Sequence, residues 1–306
     1  MIQIIHKKLV AVAMIITFAT GCRTTQEYQE FAKAGINFAG AINTLLEAAS
    51  DIAIDTTSER VLSDIRFSRE LRSNNEAIKK EAAKEFVSRY NKFSKKDKEW
   101  LELINEVRKH NHLLQYYFST LLTLAESQSA SNSQVAINNI VTELKNSGSK
   151  LIELSPIKIE QLPSITRIFL DARIRGALKS ELEKRKYTIY RQITIQEQLL
   201  TIISESMEKN VKILRDLKEY RLVIQPIIEQ GDINTKKENE WVKTRNTIIL
   251  LKDYQDKISK IKEGSDKLRT FKQIFINSIE GEITSNRIQS FIQEANSFST
   301  LVSQDK

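Results

Sequence analysis

The sequence predicts an all-α protein, an elongated bundle of long antiparallel helices that pack along coiled-coil-like heptad seams. Two observations support this prediction. The 306 residues include only eight glycines and three prolines, whereas a chain built of strands needs turn residues often. Apolar residues also recur in alternating steps of three and four along several stretches, which is the spacing that keeps one face of a helix apolar.

The clearest seam belongs to a first helix predicted over residues 25–54. Its positions contain no polar residue, which indicates a face that packs on a neighbouring helix. They are Tyr28, Phe31, Gly35, Phe38, Ile42, Leu45, Ala49 and Ile52. The segment from Thr56 to Ser58 predicts a break with a cap, followed by a short helix over 58–72 and another over 75–92.

A second seam predicts a long helix over 95–127, with Ser94 and Asp97 as a capping box. The seam residues are Trp100, Ile104, Val107, Asn111, Leu114, Phe118, Leu121 and Ala125. Asn111 is polar, and an asparagine on such a seam fixes register or partner choice. Two interpretations of Asn111 stay open, a hydrogen bond inside the bundle or a contact with a partner chain.

A connector is predicted over residues 149–163, which contain Pro156 and Pro163 and show no clean helical face. Before it lies a helix over 133–147 that ends at Gly148. The connector divides an N-terminal half from a C-terminal half, unless the two form one continuous bundle. The predicted halves are residues 22–148 and 164–306.

The C-terminal half is predicted to be helical from an N-cap at Ser164 to Ile224. So long a stretch is expected to contain a kink or a break. Gly231 then turns the chain. The remaining predicted helices cover 235–263, 265–279 and 285–301, with breaks at Gly264 and Gly281.

The first 22 residues have the pattern of an export signal. Lys7 and Lys8 precede an uncharged apolar run from Leu9 to Ala19. As a helix this run rises only about 16 Å, roughly half the hydrocarbon core of a bilayer. A basic start, a short apolar run and small residues at a cleavage point typify a secretory signal. We therefore expect residues 1–21 to be removed.

The run ends in Ala19, Thr20, Gly21 and Cys22, which resembles the lipobox of bacterial lipoproteins, although leucine is usual where Ala19 stands. In that class the chain is cut before the cysteine, whose thiol receives diacylglycerol and whose freed amine receives a further acyl chain. The resemblance implies a covalent lipid on Cys22, and no other cofactor is expected. Arg23 after the cysteine implies sorting to the outer membrane if the source is a diderm bacterium.

No residue pattern in the sequence indicates catalysis or a metal site. His110 and His112 are two residues apart, so on a helix they point about 200° from each other and cannot bind one metal. Glu106 and His110 are expected to form a surface pair. Acylation uses the only cysteine, and the sequence lacks HExxH, G-x-S-x-G and Gly-rich phosphate motifs. We therefore expect a protein that is not an enzyme.

The net charge of +8 is modest, and acidic and basic residues are interspersed, which is typical of a solvated surface. It does not indicate a nucleic-acid partner. The stretch from 167 to 191 is more basic, and it predicts a contact with an anionic membrane surface or an acidic protein. The candidate residues for this contact are Arg173, Arg175, Lys184, Arg185 and Lys186.

Together these predictions describe a lipid-anchored lipoprotein of the bacterial cell envelope. We expect it to act as a helical scaffold or interaction protein, with membrane lipid and another envelope protein as its partners. Two alternatives stay open. One is a membrane-active helical protein, toxin-like or protective, that uses the apolar helix 31–54. The other is an enzyme without a recognisable motif.

Overall fold

In a computed structural model the described parts of the chain are almost entirely helical, and none of them is a strand. The described ranges are 2–67, 70–126, 131–155, 176–230, 235–280 and 285–303. Within them, side chains are not described for residues 2–27 and for several residues near helix ends. The all-α prediction is confirmed.

The described residues form eight α-helices with short irregular pieces between them. The helices are α1 (Ile2–Phe67), α2 (Glu76–Glu126), α3 (Ser131–Leu154), α4 (Gly176–Glu219), α5 (Gln225–Gln230), α6 (Thr235–Leu250), α7 (Lys252–Glu280) and α8 (Ser285–Ser303). A 3-10 helix (Glu70–Arg72) precedes α2, and a π-helical turn (Tyr220–Ile224) joins α4 to α5.

The N-terminal helices are longer than the sequence predicts. The breaks predicted after residue 54 and between 92 and 95 are wrong, because α1 and α2 run through them. The start predicted at residue 25 is also wrong, since α1 begins at Ile2. The hydroxyl of Thr56 donates to the carbonyl of Ile52 at 2.7 Å, so this polar residue is satisfied inside the helix and does not end it.

Two predicted glycine breaks are wrong, at Gly148 in α3 and Gly264 in α7. A Cβ on Gly264 would lie 2.8 Å from Ile42 and 3.3 Å from Phe298, so this glycine permits close packing between helices. The break between α6 and α7 falls at Leu251, whose φ of 31° lies in the left-handed region.

The stretch predicted as helical over 164–224 is described from Gly176, and its predicted end at Ile224 is wrong, because the chain passes through the π-helical turn after Glu219 directly into α5. The final helix predicted over 285–301 is confirmed by α8. Some predictions fall outside the described residues. They concern the connector beyond Ser155 with Pro156 and Pro163, the N-cap at Ser164, Arg173 and Arg175, and the turns at Gly231 and Gly281.

The chain divides into two compact units, each assembled from separated segments. Unit 1 comprises residues 1–44, 106–199 and 264–306, and unit 2 comprises 45–105 and 200–263. These boundaries fall inside helices and differ from the division predicted at 149–163. Because most of that connector lies outside the described residues, the predicted halves stay a prediction.

Both predicted seams are buried faces of their helices. The first seam is buried apart from half-buried Tyr28, and the second is buried apart from half-buried Trp100 and Ala125. In the described part of the chain, no helix is both long and apolar enough to cross a membrane. Most apolar side chains of 31–54 are buried, whereas Ile54 is exposed, and packing against neighbouring helices removes the buried ones from water.

Unit 1 is built around a cluster of phenylalanines. Phe31 stacks on Phe271 with ring centroids 4.7 Å apart, and Phe118 meets Phe271 edge to face at 5.1 Å. A Cβ on Gly35 would lie 2.9 Å from the Phe118 ring. The missing side chain of Gly35 thus lets the ring approach the backbone of α1, and the aromatic pairs add to simple burial.

Unit 2 has a largely aliphatic core in which tryptophans bond to the backbone. Leu46, Ile203 and Leu214 are fully buried. Trp100 donates from Nε1 to the carbonyl of Ala49 at 3.4 Å, and Trp241 donates to the carbonyl of Val223 at 2.9 Å. Each indole therefore contributes apolar area while its N–H group is satisfied.

Candidate functional site

The predicted lipidation site lies in the N-terminal part of α1. Ala19, Thr20, Gly21 and Cys22 are helical in backbone conformation, and their side chains are not among those described. Nothing in the geometry therefore bears on cleavage or acylation. The lipid on Cys22 stays a prediction from the sequence.

A fully buried histidine joins α2 to α4 within unit 1. His110 Nε2 lies 2.9 Å from Gln192 Oε1, and its Nδ1 lies 3.1 Å from Gln196 Oε1. His110 is 0% exposed. The predicted surface pair of Glu106 with His110 is therefore wrong, and Glu106 instead accepts from Lys150 at 2.8 Å.

Burial lowers the pKa of the His110 imidazole, and its contacts with Gln192 and Gln196 oppose this shift. We therefore expect a neutral ring, which has one N–H donor and one acceptor nitrogen. Such a ring donates from Nε2 to Gln192 and accepts at Nδ1 if Gln196 presents its NH₂ group. The amide nitrogen of Gln196 has no partner among the described residues. Exchanging the positions of the oxygen and nitrogen of this amide would let that nitrogen donate to His110 Nδ1.

An open cleft of about 480 Å³ lies between α3 and α4, and Gln192 is part of its lining. A Cβ on Gly148 would overlap Gln192 Oε1, so the glycine provides the space that the glutamine side chain occupies. Polar and aromatic groups that line the cleft include Lys145, Ser149, Tyr187, Tyr190, Arg191 and Gln192. Within the described residues no carboxylate lines it, so its lining is positively charged.

Two further cations lie beside the aromatic rings of the cleft. Lys186 Nζ is 5.2 Å from the ring centroid of Tyr187, and Lys272 Nζ is 5.2 Å from that of Tyr190. Such placements are attractive because the face of an aromatic ring carries partial negative charge. Lys272 also pairs with Glu197 at 2.5 Å, so its charge is partly compensated.

The basic residues predicted to contact an anionic surface do not share one exposed face. Lys184 is exposed, Arg185 is half-buried and Lys186 is buried. Arg185 donates to Asn138 and lies 3.6 Å from Glu181. With Arg173 and Arg175 outside the described residues, a joint role of these five side chains stays a prediction.

Tyr117 and Glu181 form a second buried polar group in unit 1. Burial raises the pKa of Glu181, and the nearby charges of Arg185 and Lys184 oppose this rise. Burial and the charge of Glu181 also raise the pKa of Tyr117 well above its usual value. The Tyr117 hydroxyl has no hydrogen-bond partner among the described residues, and burial disfavours the charged form of both side chains.

Asn111 is used inside unit 1. Its amide donates to the carbonyl of Ala39 at 2.6 Å and to Asn43 Oδ1 at 3.1 Å. Of the two interpretations from the sequence, the hydrogen bond inside the bundle is confirmed. The asparagine fixes the position of α2 against α1 and needs no partner chain to satisfy it.

Unit 2 contains an ion pair between buried Glu59 of α1 and half-buried Arg221 of the π-helical turn. Arg221 donates from Nε to Glu59 Oε2 at 2.8 Å and from Nη2 to Glu59 Oε1 at 2.6 Å. This two-pronged geometry is the strongest that an arginine and a carboxylate form. Nearby, Thr57 donates to Asp97 at 2.9 Å, and burial raises the pKa of Asp97 against this hydrogen bond.

Within the described residues, no group of three or more His, Cys, Asp and Glu side chains is arranged to hold a metal ion. The chain matches no protein-family model, and no curated protein or solved structure is significantly similar to it. The sequence around Cys22 and the cleft beside Gln192 are two features that a binding function can use.

The sequence contains a signal for the burial of His110 that the predicted seam of α2 does not include. Leu103, His110 and Tyr117 alternate in steps of three and four with the seam residues Val107 and Leu114, and all five are buried. The apolar face of α2 is therefore wider than a two-residue heptad stripe. No such pattern in the sequence indicates that Gln192 lines the cleft, because its position depends on how Gly148 of α3 packs against it.

Proposed function

We propose that this chain is a lipid-anchored helical protein that is not an enzyme and that binds another component of a bacterial envelope. The observation that carries the proposal is the short apolar run after Lys7 and Lys8 that ends in Gly21 and Cys22, the only cysteine of the chain. Acyl chains contribute about 0.8 kcal/mol per buried methylene group, so two or three of them hold a protein stably on a membrane.

The contacts of the buried polar side chains support a binding or scaffold role over catalysis. His110 bonds to two glutamines, Asn111 to the backbone of α1, and Glu59 to Arg221. Each of these groups joins two segments of its own unit. An enzyme stays an alternative, and no arrangement of the described side chains favours it.

The packing supports an antiparallel, heptad-like arrangement of α1 and α2. Within each unit, the residue number of the contacting position on α2 decreases as the residue number on α1 increases. This is the order expected of two antiparallel helices. The pairs are Gly35 with Phe118 and Asn43 with Asn111 in unit 1, and Ala49 with Trp100 and Thr57 with Asp97 in unit 2. Between α3 and α4 the residue numbers of the contact partners increase together, from Asn138 with Arg185 to Gly148 with Gln192. The proposed antiparallel arrangement therefore concerns α1 and α2 alone.

The membrane-active alternative would use helix 31–54. Phe31, Phe38, Ile42 and Ile52 are each at most 4% exposed, so this helix would have to leave the core before its apolar side chains could reach lipid. Losing that burial is costly, since a large apolar side chain contributes about 1.5–3 kcal/mol. We therefore favour the anchored binding protein.

Metabolic labelling with a clickable palmitate tests the anchor in a bacterial host. We expect label in the wild-type chain and none in Cys22→Ser, which should remain an uncleaved precursor. Thr20→Ser keeps a small residue before the cut and is the matched control that should label normally. A Cys22→Ser chain that is labelled, cut and placed like the wild type would contradict the proposal.

The sorting prediction has its own test in a diderm host. Aspartate after the cysteine favours retention in the inner membrane in the lipoprotein class, so Arg23→Asp should move the chain from the outer to the inner membrane fraction. Arg23→Ser is the control and should stay with the outer membrane. Identical fractionation of both variants would remove the outer-membrane assignment while leaving the anchor intact.

A further inference from the structure

We propose that the cleft between α3 and α4 binds a ligand that carries a phosphate group on an organic body. This inference rests on the proposed function, because it names the class of ligand that the proposed binding protein takes. The cleft volume of about 480 Å³ lies within the ~300–1,000 Å³ typical of small-molecule sites. Its lining supplies charge, a directed donor and an apolar wall.

The charge comes from Lys145 and Arg191, which both line the cleft and are exposed. No carboxylate of the described residues lines the cleft beside them, although charges of both signs alternate along most of the chain. An arginine presents a planar fork of N–H donors that matches phosphate oxygens, and a lysine adds a point charge. This local excess of cations favours an anionic ligand.

The directed donor is Gln192, which is 3% exposed. Its amide oxygen lies 2.9 Å from His110 Nε2, and the residue also lines the cleft, where its NH₂ group would be the donor to a ligand. A glutamine costs free energy to bury unless its polar atoms are bonded, and here Gly148 leaves the space that the side chain needs. The contact with His110 therefore fixes a donor in advance, which lowers the entropy cost of binding.

The apolar wall is formed by Ile152 and Ile195, together with Tyr187, which is 42% exposed. The Nζ atom of Lys186 lies 5.2 Å from the centroid of the Tyr187 ring. Apolar and aromatic surface next to cations fits a phosphate ester better than inorganic phosphate. Such an ester could be a lipid headgroup with its glycerol and chains, or a free small phosphate ester, and the shared chemistry is the phosphate group.

The test is a calorimetric titration of the purified full-length chain in non-ionic detergent. The two probes are glycerol 1-phosphate and dihexanoyl phosphatidylglycerol, and their uncharged counterparts are glycerol and dihexanoylglycerol. We expect saturable binding of at least one phosphate probe. The variant Lys145→Gln/Arg191→Gln should weaken it at least tenfold with an unchanged circular dichroism spectrum and melting temperature.

The matched control is Lys109→Gln/Arg287→Gln, which removes two exposed cations of unit 1 outside the cleft. Its net charge changes equally, so its affinity should stay within twofold of the wild type. Gln192→Leu should weaken binding less than the double cation variant, and the melting temperature separates this loss from unfolding.

Binding of both phosphate probes assigns recognition to the headgroup. Binding of the lipid alone shows that the acyl chains are needed. Either result supports the proposal.

Three results would overturn it: no saturable binding of either phosphate probe, equal binding of the uncharged counterparts, or equal weakening in the control pair. Titrating Cys22→Ser alongside separates this proposal from the anchor. A chain that incorporates palmitate but binds neither probe overturns only the phosphate site. A chain that binds the probes but never incorporates palmitate overturns only the anchor.

Discussion

The two units attach the α4 segment to their other helices in different ways. In unit 1 the link to α2 is His110 between the amides of Gln192 and Gln196, and burial lowers the pKa of its imidazole, which favours the neutral ring. In unit 2 the π-helical turn after α4 is tied to α1 by the ion pair of Glu59 with Arg221. A neutral hydrogen-bonded link loses about 1–3 kcal/mol when one partner is removed, whereas a buried ion pair leaves an uncompensated charge. Mutation and pH should therefore affect the two links differently.

The largest effect is expected for Arg221→Ala in unit 2. It leaves the Glu59 carboxylate, whose side chain is 8% exposed, without its partner, and we expect a loss of about 3 kcal/mol in the free energy of unfolding. Urea denaturation followed by circular dichroism measures this loss. The double variant Glu59→Leu/Arg221→Leu should lose less, because no charge stays buried. If Arg221→Ala were as stable as Glu59→Leu/Arg221→Leu, the ion pair of unit 2 would not differ from the neutral link of unit 1 in its cost of mutation.

A smaller loss is expected for Asn111→Ala in unit 1. The variant removes the donor to the Ala39 carbonyl and leaves a small cavity, which together should lower the free energy of unfolding by about 2 kcal/mol. Asn139→Ala changes an exposed asparagine of the same unit and should stay within about 0.5 kcal/mol of the wild type. Equal melting temperatures for the two variants would show that the Asn111 bond contributes nothing.

The smallest effect concerns pH and His110. Because its pKa is lowered in the folded protein, the unfolded chain takes up a proton first as the pH falls. The stabilisation is therefore present above about pH 6.5, the usual pKa of histidine, and is lost below it. Between pH 7.5 and 5.5 we expect wild type to lose about 1 kcal/mol more than His110→Gln.

The raised pKa values of Glu181 and Asp97 act in the opposite sense, since their folded forms take up protons first. They are common to both proteins, so the difference between wild type and His110→Gln isolates the histidine. Parallel pH curves for the two proteins, measured by chemical denaturation, would show that His110 does not titrate differently in the folded state.

The sequence was sufficient to predict the helical class and most of the buried faces. Ile104, Val107 and Leu114 lie where the alternation of three and four places them, because the helical period alone decides which side chains share a face. The hydrogen bond of Asn111 inside unit 1 was one of the two interpretations that its seam position allowed. These features depend on local spacing, which a single sequence contains.

Helix boundaries and the polar link depend on tertiary contacts that spacing does not show. Thr56 has the side chain of a capping residue, yet it bonds within α1 and also to the carbonyl of Asn210. Gly264 has the conformational freedom of a breaker, yet it continues α7 because Ile42 and Phe298 pack against it. Leu251 carries no sequence signal for the left-handed conformation it adopts.

The cleft was the hardest feature to predict. Gln192 and Gly148 are 44 residues apart in sequence, and the residues around them give no indication that the two are in contact. Their contact follows from how α3 lies beside α4. The basic stretch around Lys184, by contrast, was visible in the sequence, but the structure turns its residues to different environments.

Intact-mass spectrometry of the chain extracted from bacterial envelopes tests the central claim most directly. The account predicts a mature protein that begins at Cys22 and carries the added mass of a diacylglycerol group, with or without a third acyl chain. A chain that begins at another residue, or at Cys22 with an unmodified thiol, would contradict it.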